Sequence, residues 1–205
     1  EIQKETANLL NDEGEAFNGI WLWGAGVKPN LPSFEDRYGL TGKVVSAVDL
    51  IKGLGAYTGL ASIEVEGATG DINTNYEGKV AAVKENLEED SFHFLHVEAP
   101  DEASHAGSPT LKVEAIERID ERVVGPLVDY LSGQKNFKLL LVTDHITGVD
   151  SRTHERGPVP FAITDLDRSK SPPGKIFTEV EASDTDNSLK TGKDLIDIFI
   201  EEEVA

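Results

Sequence analysis

Five side chains in three segments carry the chemistry that this sequence offers. Asp101 and His105 lie in Phe94-Leu-His-Val-Glu-Ala-Pro-Asp-Glu-Ala-Ser-His105. Asp144 and His145 end Leu139-Leu-Leu-Val-Thr-Asp-His145, and His154 sits in Ser151-Arg-Thr-His-Glu-Arg-Gly-Pro-Val-Pro-Phe161. A short apolar run that stops at acidic and imidazole groups reads as a buried strand feeding a loop, and ligands of open α/β sheets bind at such carboxyl ends. Asp101 and His105 are four apart, so on a helical turn both leave from one face. Carboxylate and imidazole donors suit Mn, Zn, Co or Mg. Two such ions, roughly 3.5–4 Å apart, can clamp the attacking and leaving oxygens of a phosphoryl transfer. Asp101, His105 and His154 make a three-ligand set for one ion. Asp144 and His145 give only two for a second, so its other ligands are expected outside this sequence.

Each piece also has a plainer reading. An Asp-His pair at a strand end is often a solvated loop, and Asp101 with His105 could be a helix cap beside a surface histidine. The repetition of the pattern after three apolar runs favours the metal centre. His93 and His96 alternate with Phe92, Phe94 and Leu95 and read as structural, with His96 a candidate for supporting the ligands from behind.

The elements that must position these groups follow from periodicity and punctuation. Residues 1–13 read as a helix with Ile2, Thr6, Leu9 and Leu10 near one face, and Gly19 to Trp23 as a short strand. Ser33 caps a short helix ending near Gly39. A strand at 43–48 leads to a helix from Asp49 to about Thr58, and a strand at 61–66 leads to a helix from Asn75 to about Glu89. The strand at 91–97 feeds the first site segment. Pro109 opens a long helix with the apolar stripe Val113, Ile116, Ile119, Val123, Val124, Leu127 and Leu131. Strands at 137–143 and 158–163 flank a loop bearing His154, and 165–174 is a polar loop. Residues 176–180 read as a hairpin or edge strand, and Asp194 to Glu203 as a closing helix. Strands alternating with helices predict an α/β fold of three layers, α/β/α, around a mostly parallel sheet.

Composition sets the outer limits. With 205 residues, 39% hydrophobic and 28% charged, the chain suits one α/β domain with a substantial core. A net charge of −19 argues against nucleic acid or an anionic membrane as partner, although acidity also serves plain solubility. The absence of cysteine excludes disulfides, thiol catalysis and zinc–thiolate sites. With no long apolar run and no leader pattern, the expected location is cytoplasmic. The chain begins at Glu1 and holds no methionine, which leads us to expect a portion of a longer protein.

The site segments closely resemble the cofactor-independent phosphoglycerate mutases, in particular their archaeal-type branch within the alkaline phosphatase superfamily. The likeness extends to Ile20-Trp-Leu-Trp-Gly-Ala-Gly26, Leu31-Pro-Ser-Phe34, Ser46-Ala-Val-Asp-Leu-Ile-Lys-Gly53, Gly67-Ala-Thr-Gly70 and Thr74-Asn-Tyr-Glu-Gly-Lys79, and so covers about residues 16–200. The resemblance implies an alkaline phosphatase-like fold, a phosphoglycerate substrate, and transfer through a phosphoserine. It implies two divalent ions, one held by Asp101, His105 and His154 and the other by Asp144 and His145. Lys52 is then the candidate for meeting phosphoryl charge. Residues 1–15 match the end of an inserted substrate-binding domain, and 16–205 the C-terminal part of the metal-binding domain. The family's serine nucleophile, first metal aspartate and substrate arginines have no counterpart here, so this portion alone is expected to be inactive. The chain also departs from the family at Ile146-Thr-Gly148 and at Glu155-Arg-Gly157. A phosphatase or other phosphomutase of the same superfamily, and a non-catalytic metal-binding module, remain the alternatives.

Overall fold

The computed structural model of this chain describes residues 2–12, 19–20, 25–88, 91–132, 134, 137–165 and 176–201. The backbone divides into two compact units, Glu1–Leu31 and Pro32–Ala205. In the first, helix α1 (Ile2–Asp12) forms as its periodicity predicts, yet Ile2 and Leu9 of its apolar face are exposed. The strand expected at 19–23 falls mostly outside the described residues, as does the loop expected at 165–174.

The second unit opens with α2 (Phe34–Tyr38), where the Ser33 hydroxyl accepts from the Asp36 amide and Gly39 closes the turn at φ 70°. Caps of this kind are each worth about 1 kcal/mol. Three strands follow, each separated by a helix: β1 (Thr41–Val45), α3 (Asp49–Tyr57), β2 (Ala61–Ser62), α4 (Tyr76–Lys84) and β3 (Ser91–Leu95). They pair in parallel in the order β2-β1-β3, as strand–helix alternation predicts.

Two adjacent valines in β1 show why the sheet needs cover on both faces. Successive strand residues point to opposite sides, and Val44 and Val45 are both buried, at 2% and 0% exposure. Val44 packs against Gly55 of α3, where a β-carbon would come within 2.7 Å of its methyl. Val45 instead joins Tyr76, Val80 and Val83 of α4 with Val123 and Leu127. Each such burial stabilises by about 1.5–3 kcal/mol. The parallel sheet is therefore sandwiched between α3 and α4, the middle of three layers.

After α5 (Ala99–His105) the chain forms α6 (Pro109–Ile119), a π-helical turn at Asp120–Val124, and α7 (Gly125–Leu131). The sequence predicts one uninterrupted helix here. Pro126 has no amide hydrogen and its ring would strike the carbonyl four residues back. The wider turn accommodates it, with the Gly125 amide reaching Asp120 O. The buried line becomes Ala115, Val123, Leu127 and Leu131, whereas Val113 and Ile116, expected in the stripe, are 55% and 51% exposed.

Strand β4 (Lys138–Val142) leads into a hairpin, β5 (Ile146–Gly148) and β6 (Thr153–Glu155), and returns through β7 (Phe161–Asp165), which pairs antiparallel with β4. The segment expected as a hairpin or edge strand at 176–180 instead enters helix α8 (Glu179–Ser183). Thr178 decides this: its hydroxyl accepts from the Glu181 amide, and Glu179 and Glu181 favour the positive end of the helix dipole. Helix α9 (Gly192–Glu201) closes the described chain. Its Asp197 receives Arg37 and Tyr38 at 2.9 Å and 2.7 Å, which ties it to α2.

Candidate metal centre

The first half of the site grows from β3. The strand ends at Leu95, and Pro100 stands in the first turn of α5, where its missing amide hydrogen costs nothing. The helical repeat then places His105 Nε2 3.2 Å from Asp101 Oδ2, as the four-residue spacing predicts.

The second half is the β5–β6 hairpin, in a stretch read from sequence as loop. Its register sets Thr147 opposite His154. His145 lies two residues before Thr147, so the two-residue period points His145, Thr147 and His154 toward one face. The consequences are close contacts across long separations. His154 Nε2 stands 3.4 Å from Asp101 Oδ1 and 3.2 Å from His105 Nε2. The His145 and His154 rings lie 3.9 Å apart, and His145 Nε2 is 3.3 Å from Asp144 Oδ2. Asp101, His105, His145 and His154 therefore meet in one cluster, and Asp144 stands at its edge, largely exposed and against His145.

Backbone geometry orients one of these rings. Arg152, in the turn of the hairpin, has φ 55°, the left-handed region that non-glycine residues seldom occupy. Its carbonyl consequently faces His105 Nδ1 at 2.9 Å. A carbonyl only accepts, so Nδ1 carries the hydrogen and neutral His105 offers its Nε2 lone pair to the cluster. The same bond, with help from Asp101 and Glu102, raises the His105 pKa above its usual value.

Electrostatics around the cluster follow from burial. Desolvation pushes the His96 pKa down, opposed by the nearby Asp144 charge, and His96 Nδ1 lies 3.2 Å from the Ser46 hydroxyl. Glu98 is pushed up by burial and by the charges of Glu102 and Asp101. Lys79, almost wholly buried, donates to the His96 carbonyl at 3.0 Å, and its pKa is lowered by desolvation. His96 thus packs behind the cluster, while His93 bonds Ser91 within its own strand.

The donor set fits a divalent cation. Around an ion bound at about 2.0–2.2 Å, neighbouring ligand atoms stand roughly 3 Å apart. Asp101, His105 and His154 bring their donor atoms within 4.8 Å of one another, with individual separations of 3.2–3.4 Å. Lys52 of α3 has its ammonium on both carboxylate oxygens of Glu64, at 2.9 and 3.0 Å. The sequence reading missed Thr147 and Arg152. Thr147 was discoverable from its two-residue spacing to His145 once the segment is taken as strand; the Arg152 backbone left no trace in composition.

Comparison with known proteins agrees with this chemistry. The Metalloenzyme superfamily profile matches residues 5–191. A 2,3-bisphosphoglycerate-independent phosphoglycerate mutase of Methanosarcina mazei is 45% identical over 89% of this chain and 46% of its own length. The corresponding mutase of Methanothrix thermoacetophila is 48% identical over 89% of this chain and 47% of its own. A solved protein of Pyrococcus horikoshii superposes with a TM-score of 0.69 at 32% identity, over 78% of this chain and 42% of that one. The chain thus spans about half the length of the curated relatives it matches. No helix among the described residues is long and apolar enough to cross a membrane. With an α/β scaffold, a convergent carboxylate–imidazole cluster and a matching profile over most of its length, the chain belongs to the Metalloenzyme superfamily.

Proposed function

We propose that this chain is the C-terminal, metal-binding portion of a phosphoglycerate mutase of the archaeal type, which interconverts 3-phosphoglycerate and 2-phosphoglycerate through a phosphoserine. The nucleophilic serine and the substrate-binding domain lie outside this sequence, and residues 1–15 are the end of that inserted domain. The observation that carries the proposal is the convergence of Asp101, His105 and His154, in a chain 42–48% identical to methanogen proteins bearing that name.

Asp101, His105 and His154 would hold one divalent ion, and Asp144 with His145 would give two ligands of a second. When bound, the pair would neutralise the charge of the transferring phosphoryl group and hold its attacking and leaving oxygens. The chain's own work is positional. The α5 turn and the hairpin register bring the donors together, and the Arg152 carbonyl keeps His105 Nε2 directed inward. Lys52 would meet phosphoryl charge, exchanging its bond to Glu64 for one to the substrate.

An enolase-coupled assay on the full-length gene product tests this. Turnover of 3-phosphoglycerate should vanish on chelation and return with Mn or Co, while simple phosphate esters react far more slowly. Preferred hydrolysis of such esters, or turnover indifferent to chelation, would refute the mutase. Lys52→Ala should lower kcat/KM by about 10²-fold, the usual scale for losing one charge-stabilising donor.

A further inference from the structure

We propose that Thr147 is a positioning residue that couples the two halves of the metal centre by fixing the tautomer of His145. This rests on the metal-centre reading above and deepens it. The Thr147 hydroxyl lies 2.5 Å from Asp101 Oδ1 and 3.1 Å from His145 Nδ1. It therefore touches one ligand from the three-donor set and one from the two-donor set.

Counting hydrogens settles the direction of both bonds. A threonine hydroxyl has one hydrogen and two lone pairs, whereas an ionised carboxylate only accepts. The single hydrogen must go to Asp101. The bond to His145 then requires Nδ1–H to donate into an Oγ1 lone pair. Nε2 lies 3.3 Å from Asp144 Oδ2, which also only accepts, so the two sides of the ring compete for its hydrogen; Thr147 is the group that draws it to Nδ1 and so leaves Nε2 for an ion. One hydroxyl thus orients a carboxylate and selects a ring tautomer.

The hydroxyl is itself held. Thr147 is 4% exposed, paired with His154 across the hairpin, and its carbonyl accepts from Lys112 Nζ at 2.8 Å. These contacts fix its backbone between the two halves of the cluster, and burial leaves the hydroxyl little else to bond. Groups that orient metal ligands from behind typically contribute about 10–100-fold in metal affinity.

The test uses the full-length gene product and Thr147→Val, which keeps the branched shape and strand preference but removes the hydroxyl. In metal-free protein, nitrogen-15 spectra of His145 should show Nδ1 carrying a hydrogen in the wild type, and the Nε2–H form that faces Asp144 in T147V. Titration with Mn should show the weaker of two ions losing about 10–100-fold in affinity. Thr147→Ser should restore both the tautomer and the affinity. An unchanged His145 tautomer in T147V, or a serine variant as impaired as the valine, would overturn the proposal. Thr147→Ala is read in the same way if the valine variant does not fold. A wild type that binds no Mn would instead defeat the metal-centre reading, and the tautomer measurement still judges Thr147 by itself.

Discussion

Two aspartates in this molecule are each gripped through both carboxylate oxygens, and to different ends. Asp197 of α9 receives Arg37 at 2.9 Å and 3.3 Å, Tyr38 at 2.7 Å and Lys193 at 2.7 Å. Its charge is balanced by cations belonging to the chain. Asp101 of α5 instead meets the Thr147 hydroxyl and the imidazoles of His105 and His154, with Glu98 and Glu102 close by. Its partners are groups that can give lone pairs to a cation, and none of them carries a permanent positive charge. The difference teaches how a structural carboxylate is told from a ligand. The first is neutralised where it stands, and the second sits in a group that a divalent ion would complete.

The sharpest way to break this contrast is to remove Asp101. At a hundredfold excess over its dissociation constant, a bound ion stabilises the folded state by about 2.7 kcal/mol. In the full-length protein, Mn should raise the wild-type melting temperature, and Asp101→Ala or His105→Ala should abolish most of that rise together with activity. Asp144→Ala should spare the tighter ion while still removing activity. A Mn-induced rise that survives in D101A, measured by calorimetry, would show that Asp101 is no more a ligand than Asp197.

A smaller effect is expected from a residue that is no ligand at all. Arg152 holds φ 55°, which costs an ordinary side chain about 1–2 kcal/mol, and the conformation aims its carbonyl at His105. Arg152→Gly should keep the turn, raise or preserve stability, and leave Mn affinity near wild type. Arg152→Val, whose branched side chain resists this region, should weaken Mn binding by about tenfold with every donor intact. Equal affinities in the two variants would show that the turn does not orient His105.

Much of this was legible in the residues themselves, because local rules governed it. Asp101 and His105 needed only the helical repeat, and Ser33, Asn75 and Pro109 announced where their helices begin. The hairpin that carries His154 was not legible. Its two strands are three residues each, flanked by glycine and charged residues, and its register is fixed by contacts to α5 and α6 rather than by apolar alternation. The π-helical turn was hidden because an apolar stripe looks continuous whether or not Pro126 widens the helix. At 176–180, an apolar pair suggested a strand, but the cap at Thr178 set the outcome. Where single-residue chemistry decides, a sequence can be read; where distant segments decide between two local options, it cannot.

The smallest predicted effect belongs to Asp197, and it completes the contrast. The Lys193 ammonium, then the Tyr38 hydroxyl and Arg37, lower its pKa from 3.8 to about 2. A carboxylate depressed on folding adds stability that is fully present above its unfolded pKa and is lost as pH falls through the folded one. Its share should therefore persist at neutral pH and fade between about pH 4 and pH 2. Asp197→Asn should unfold at lower urea than the wild type at neutral pH, with the gap closing across that window. Because its partners are fixed in the chain, the gap should be the same with Mn or with chelator. A gap that depends on Mn would place Asp197 with the metal centre, and the distinction between the two aspartates would fail.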